Sequence, residues 1–202
     1  MVMNQHYVEW FSGKELPSYL FAESWGGGSY GMAPYPHNGM WLSKSTTNGS
    51  GAAISFGATT PYTRRPFSCT ASVFHIVVKP SNPVNSRAYI GLSDSKGSIT
   101  NSIHFTHDTT KTTYELGTFG QTQSGSTAGG AYTVSSLPID NVRHHHRLES
   151  KSASAEYEID GVLEAIRTET LPKGAMMPHI ENYAVNTEES TYNITYLEIY
   201  NT

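Results

Sequence analysis

The amino-acid sequence predicts an all-β protein, a two-sheet antiparallel β-sandwich, and three observations carry that expectation. Only 15% of its 202 residues are charged, and 18 glycines and 13 tyrosines accompany many Ser, Thr and Asn, which suits strands and turns with a polar surface. Short β-rich runs bounded by Gly, Pro and Asn recur along the chain, about thirteen by pattern, and that many strands without helices argue for two packed layers. Residues 155–166 read as a sharply defined hairpin. Ala155, Tyr157 and Ile159 alternate with Glu156, Glu158 and Asp160, and Asp160-Gly161 supplies the two positive-φ residues of a tight turn into 162–166. A chain of this length holds one substantial core, so residues 1–202 are expected to form a single domain.

Taken in order, residues 6–11 open the chain as a strand and 19–22 follow as a second, with Pro17 ending the link between them. The stretch 24–39 is too rich in Gly and Pro for regular structure and reads as a long loop carrying Trp25, Tyr30, Tyr35 and His37. It lacks the Gly-Lys-Ser/Thr ending of a phosphate cradle. Residues 40–42 and 52–56 read as a hairpin with a polar tip at 46–51. Residues 69–78 form the longest β-rich run, ended by Lys79-Pro80-Ser81-Asn82-Pro83 because proline cannot donate to a ladder. Strands are expected over 87–92, 101–106 and 113–119, with a turn at 94–97 and a link at 107–111. Residues 121–130, QTQSGSTAGG, form a low-complexity polar loop that is expected to be mobile. Strands at 176–184 and 192–200 complete the chain.

The formal charge of −4, with its basic residues scattered, argues against nucleic-acid binding, which needs clustered Lys and Arg. Cys69 is the sole cysteine, so no internal disulfide can form, and its β-rich neighbours mark it as a small buried group rather than a nucleophile. The first residues lack the basic start and apolar run of a signal peptide, and no run of about 18 apolar residues exists for a membrane helix. The expectation is a protein without membrane partners, working outside cells or at a virion surface. Asn48-Gly49-Ser50 and Asn193-Ile194-Thr195 are formal glycosylation sequons, a triplet frequent by chance.

Several segments resemble a known family. His144-His145-His146-Arg147-Leu148-Glu149, followed by Tyr157-Glu158-Ile159-Asp160-Gly161-Val162-Leu163, resembles the late hairpin of concanavalin A-like lectin/glucanase sandwiches, as in laminarinase-type family 16 glycoside hydrolases and laminin-G-like domains. Met176-Met177-Pro178-His179-Ile180 is similar to that superfamily's "M-x-P-x-x" strand, and Ile194-Thr195-Tyr196-Leu197-Glu198-Ile199-Tyr200 to its closing "V-D-Y-V-R-V-Y" strand. Phe11, Leu16 and Pro17 match the opening "F-x-x-x-x-L-P" segment more loosely. The resemblance covers both ends of the chain and implies a concanavalin A-like jelly roll.

The laminarinase-type enzymes carry E-x-D-x-E on one strand, so that alternate carboxylates, roughly 5 Å apart, reach the substrate. The resemblance places Ser102-Ile103-His104-Phe105-Thr106 at that position, where alternation persists without carboxylates. Glu156-x-Glu158-x-Asp160 has acidic spacing but reads as a solvated outer face. Three adjacent histidines, His144, His145 and His146, cannot converge on one metal, because a strand sends the middle one to the opposite face. Calcium is common in the superfamily, often on an aspartate of the closing strand; Thr195 stands there instead. Asp94, Asp108 and Asp140 lie in loops without a calcium-binding spacing, so no cofactor is firmly implied and calcium stays open.

The remaining signal is aromatic. Flat rings stack on the C–H faces of sugars while polar side chains meet the hydroxyls. Trp25, Tyr30, Tyr35, His37 and Trp41 fit that chemistry, as do His104, Tyr114 and Glu115 on the expected cleft strands, although Trp41 and Tyr114 would serve equally as core aromatics. The leading expectation is a noncatalytic carbohydrate-binding or surface-recognition sandwich with a glycan or polysaccharide partner, set in a phage decoration or tail-adhesion protein. Two alternatives stand beside it: a glycan-active hydrolase or lyase using His104, Tyr114 and Glu115, and an assembly module whose partners are copies of itself or other particle-surface proteins.

Overall fold

The computed structural model describes residues 5–13, 15–33, 39–56, 67–82, 86–94, 101–107, 112–120, 131–184 and 189–202. Sixteen strands and no helix are present among them. In chain order they are β1 (His6–Trp10), β2 (Leu20–Trp25), β3 (Ser29–Ala33), β4 (Gly39–Lys44), β5 (Gly51–Phe56), β6 (Phe67–Ser68), β7 (Ser72–Ser81), β8 (Ser86–Ser93), β9 (Ser102–His107), β10 (Thr113–Phe119), β11 (Ala131–Pro138), β12 (His144–Ser150), β13 (Ala155–Ile159), β14 (Val162–Arg167), β15 (Ala175–Ala184) and β16 (Ser190–Asn201). The first sheet runs β14-β13-β12-β7-β16-β4-β3, with β1 paired to β16; the second runs β11-β10-β9-β8-β15-β5-β2, with β6 paired to β15. All strand pairs are antiparallel. The molecule is the two-sheet sandwich that composition and strand count predicted.

Alternation explains the core. Ile76, Phe74 and Val78 from β7, Leu148 from β12 and Tyr157 from β13 face Ile90, Leu92, Ile103, Phe105 and Leu116 of the second sheet in one buried cluster. The hairpin β13–β14 closes as its sequence requires, with φ of 53° at Asp160 and 80° at Gly161. On β12, His144 and His146 are buried and His145 lies on the other face. Both ring nitrogens of His144 meet carboxylates, Nδ1 to Asp160 Oδ2 at 2.6 Å and Nε2 to Asp140 Oδ1 at 2.9 Å. Each nitrogen must donate, so the ring is an imidazolium. Burial alone would lower its pKa, but the bonds to Asp160 and Asp140 outweigh that and raise it. Glu158 pairs with Arg147 at 2.8 Å and Glu156 with Lys151 at 2.5 Å, so the acidic alternation is an ion-paired outer face.

Three expectations need correction. The stretch 24–39 is not one long loop, since β2 continues to Trp25 and β3 forms over Ser29–Ala33 against β4. Gly31 makes this pairing close: a Cβ there would lie 2.7 Å from the Trp41 indole. Residues 40–42 and 52–56 do not form a hairpin. β4 belongs to the first sheet and β5 to the second, so 45–50 cross the sandwich edge while Leu42 and Ile54 both enter the core. The prolines also do not end β7 where expected, because Pro80 pairs with Tyr192 of β16 after β12 has stopped at Val78, leaving no partner to miss its N–H. The 95–97 part of the expected turn, residues 108–111 and the polar loop 121–130 lie outside the described residues, as do Tyr35 and His37.

Buried bonds tie the sheets together: the Asn182 amide of the second sheet donates to the Leu42 and Ser190 carbonyls of the first, and the Tyr157 hydroxyl of the first sheet donates to the Gly117 carbonyl of the second at 2.7 Å. Tyr157→Phe is expected to cost about 1 kcal/mol, since the carbonyl loses a buried donor. Urea denaturation checks it, with the midpoint moving while the slope stays constant.

Candidate functional site

The outer face of the second sheet carries a set of histidines, tyrosines and carboxylates turned away from the core. Residues directly opposite across paired strands share a face, so the registers align two rows. One runs Phe21, Ser55, His179, Gly91, His104, Gly117, Tyr132; the next runs Glu23, Ala53, Glu181, Tyr89, Thr106, Glu115, Val134. Trp25 opens a third, opposite Gly51, which is paired in turn with Tyr183.

His104 is the centre of the first row. Tyr89 stacks on it with centroids 4.3 Å apart, Tyr132 meets it edge-on at 6.0 Å, and Ser102 Oγ lies 3.1 Å from its Nδ1. Gly117 permits this closeness, because a Cβ there would lie 2.8 Å from the His104 ring and 2.9 Å from that of Tyr132. Burial, followed by the nearby His179, depresses the His104 pKa to about 3, so the ring is neutral across the ordinary pH range. Ser93 Oγ lies 3.2 Å from His179 Nδ1, and His179 Nε2 lies 3.1 Å from Glu181 Oε2. The carboxylate accepts from Nε2, leaving Nδ1 to accept from Ser93 when the ring is neutral. Burial raises the Tyr89 hydroxyl well above its ordinary pKa, keeping it a donor.

The predicted site residues divide. Trp25, His104 and Glu115 share this face. Trp41 lies on the outer face of the first sheet over Gly31, and Tyr30 sits on the edge strand β3, 42% exposed. Tyr114 is buried in the core, its ring 4.9 Å from His146, because Glu115 takes the outward position on β10. Sequence reading missed Tyr89, Tyr132, His179 and Glu181. The period-2 pattern of 87–92 and 176–184 contained the first and last two, but only the register brings them beside His104.

Of the loop acids, the two described are already engaged: Asn101 donates its backbone N–H and its amide to Asp94 at 3.1 and 3.0 Å, and His144 meets Asp140. Thr195, where the resemblance would put a calcium ligand, turns its hydroxyl to the Val77 carbonyl at 3.5 Å. The neighbouring cavity has no carboxylate among its described lining, so this donor set does not suit calcium. Burial pushes the Cys69 thiol up, in keeping with a structural cysteine.

No protein-family profile matches the sequence, and no curated protein sequence does. Solved structures do. A Bacillus licheniformis β-glucanase superposes with a TM-score of 0.67 at 11% identity over 99% of both chains. A Bacteroides ovatus mixed-linkage-glucan family 16 enzyme, in complex with an oligosaccharide product, gives 0.69 at 8% identity over 96% of this chain and 99% of that one. An apo Crh5 transglycosylase gives 0.67 at 14% identity over 98% and 84%. The fold is the concanavalin A-like jelly roll. At such identities the likeness concerns the fold, and what this jelly roll does rests on its own side chains. No helix among its described residues is long and apolar enough to cross a membrane.

Proposed function

We propose that this jelly roll binds a glycan or polysaccharide on the outer face of its second sheet and does not cleave it, serving surface recognition outside cells or on a virion. The observation that carries the reading is the Tyr89–His104–Tyr132 cluster. Tyr132 is 46% exposed above a buried, neutral imidazole, with Trp25, Thr106 and Glu115 on the same face. A flat ring held by a rigid support, flanked by hydrogen-bond donors and acceptors, suits a sugar's apolar and hydroxylated sides.

The carboxylates described on that face support binding over retaining hydrolysis. Glu115 and Glu181 are three strands apart in the row, about 14 Å between backbones at ordinary strand spacing, whereas a retaining pair needs about 5 Å. One observation favours the hydrolase reading instead. Glu23 and Glu181 flank Ala53, two strands or about 10 Å apart at the backbone, close to the spacing of an inverting pair.

Titration calorimetry with a glycan panel that includes mixed-linkage β-glucan oligosaccharides, run beside a reducing-sugar assay, decides. Saturable binding without sugar release is expected, and Tyr132→Ala is expected to weaken it about tenfold, the ordinary cost of removing an exposed aromatic anchor. Release that disappears in Glu181→Gln would establish hydrolysis, and absence of binding across the panel would end the glycan reading.

A further inference from the structure

A second recessed site lies on the opposite side of the molecule, on the outer face of the first sheet. Along its one edge β16 has two successive partners: residues 190–194 pair with β4 and 196–200 with β1. β1 leaves after Trp10, Phe11 dives into the core, and the Phe11 N–H donates to the Thr195 carbonyl at 3.3 Å. At the same point β16 carries a bulge against β7, since Ile194 pairs with Val78 and Tyr196 with Val77, leaving Thr195 as the extra residue. The bulge turns Thr195 and Tyr196 outward in succession, while Ile194 and Leu197 on either side stay buried. A cavity of about 760 Å³ opens there, within the ordinary size of small-ligand sites.

Its lining has a definite chemistry. Trp10 is 66% exposed, the most exposed large apolar side chain among the described residues, and its ring is braced against Tyr196 with centroids 4.5 Å apart. Lys79 and Arg143 line the same cavity, both exposed, with no ion pair to either among the described residues. Asn193 and Thr191 add an amide and a hydroxyl, and no Asp or Glu belongs to the described lining. Two cations without a described counter-charge in the lining, in one cavity of a chain whose net charge is −4, are a local inversion of sign.

We infer that this cavity binds an acidic saccharide, with Trp10 stacking on a sugar ring and Lys79 and Arg143 holding its carboxylate or sulfate. The braced indole supplies a platform at little ordering cost, and the two cations select for negative charge. The site is separate from the second-sheet face: the strands that line it belong to the other sheet, and it does not depend on the reading of that face.

The test is calorimetric titration of the full chain with an oligogalacturonate, a heparin-derived hexasaccharide, neutral cellohexaose and an oligothymidylate. Saturable binding of one or both acidic saccharides is expected, weakened about tenfold or more in Trp10→Ala and at least as much in Lys79→Met/Arg143→Met. The binding is also expected to weaken as salt rises from about 50 to about 500 mM, as screening requires. Tyr132→Ala, on the opposite face, is expected to leave it unchanged, so failure here and failure of the second-sheet reading are told apart. If Trp10→Ala does not fold, the double methionine variant decides, because both its side chains are exposed. The inference is overturned if neither acidic saccharide binds, if oligothymidylate binds as well, if cellohexaose binds in a way that Trp10→Ala weakens, or if the variants bind the acidic saccharides like the parent.

Discussion

Acidification from pH 7.5 to 5 is expected to remove about 2 kcal/mol of folding stability through His104 alone. The sign follows from the environment. Burial and the neighbouring His179 hold the folded His104 pKa at about 3, against 6.5 for an ordinary histidine. The unfolded chain therefore takes up a proton below 6.5 that the folded protein refuses until pH approaches 3, and stability falls throughout that window. The groups described as facing the ring include Tyr89, Tyr132, Ser102 and His179, and none of these four offers a carboxylate to stabilise an imidazolium. His144 behaves oppositely. Its raised pKa contributes stability fully below 6.5 and loses it as pH rises through the folded value, while the depressed Asp140 and Asp160 lose theirs only as pH falls through their own. Urea denaturation of the parent and of His104→Asn at several pH values separates these terms, because His144 is on the other sheet and cancels in the difference. The gap between the two proteins is expected to shrink with acid. A constant gap would mean that His104 accepts a proton inside the fold. The same property bears on the proposed binding face, where the buried ring that supports Tyr132 stays neutral at any pH from about 5 upward.

What could be read from the sequence was what alternation decides locally. The Ala155–Tyr157–Ile159 pattern and Asp160-Gly161 fixed a hairpin with no outside information, because the turn residues and the pleat agree. The placing of His144 and His146 on one face and His145 on the other followed from the same period. Sheet membership did not. Whether β4 and β5 fold back on each other or cross between layers depends on β3 and β16 competing for one and β2 and β15 for the other, and those partners lie up to about 150 residues away in sequence. For the same reason the aromatic candidates were grouped by proximity in the chain, and the fold separated Trp25 from Trp41 and buried Tyr114. The cavity at Trp10 did leave a trace: the buried residues Tyr192, Ile194, Leu197 and Ile199 are spaced two, three and two apart, and that slip is the bulge.

Phe105→Ala is expected to cost about 3–5 kcal/mol, the usual loss for a fully buried phenylalanine whose cavity cannot collapse. Collapse is blocked from both layers. Phe105 is completely buried, its ring meeting Tyr157 edge-on at 5.6 Å and His146 at 4.7 Å, and Tyr157 is itself pinned to the Gly117 carbonyl. Its chain neighbours His104 and Thr106 point the other way, into the proposed binding face, so the substitution also tests what holds that face in place. His104 is gripped by Tyr89, Tyr132 and Ser102, contacts that Phe105 does not share. Well below the unfolding transition, glycan affinity is therefore expected to fall by about threefold at most, as for sites with separate partners. Tyr132→Ala should do the reverse, weakening binding while leaving the urea midpoint nearly unmoved, since Tyr132 is half exposed. If Phe105→Ala weakened binding as much as Tyr132→Ala, the face would take its geometry from the core beneath it, and the ring contacts around His104 would not be what pre-organises the site.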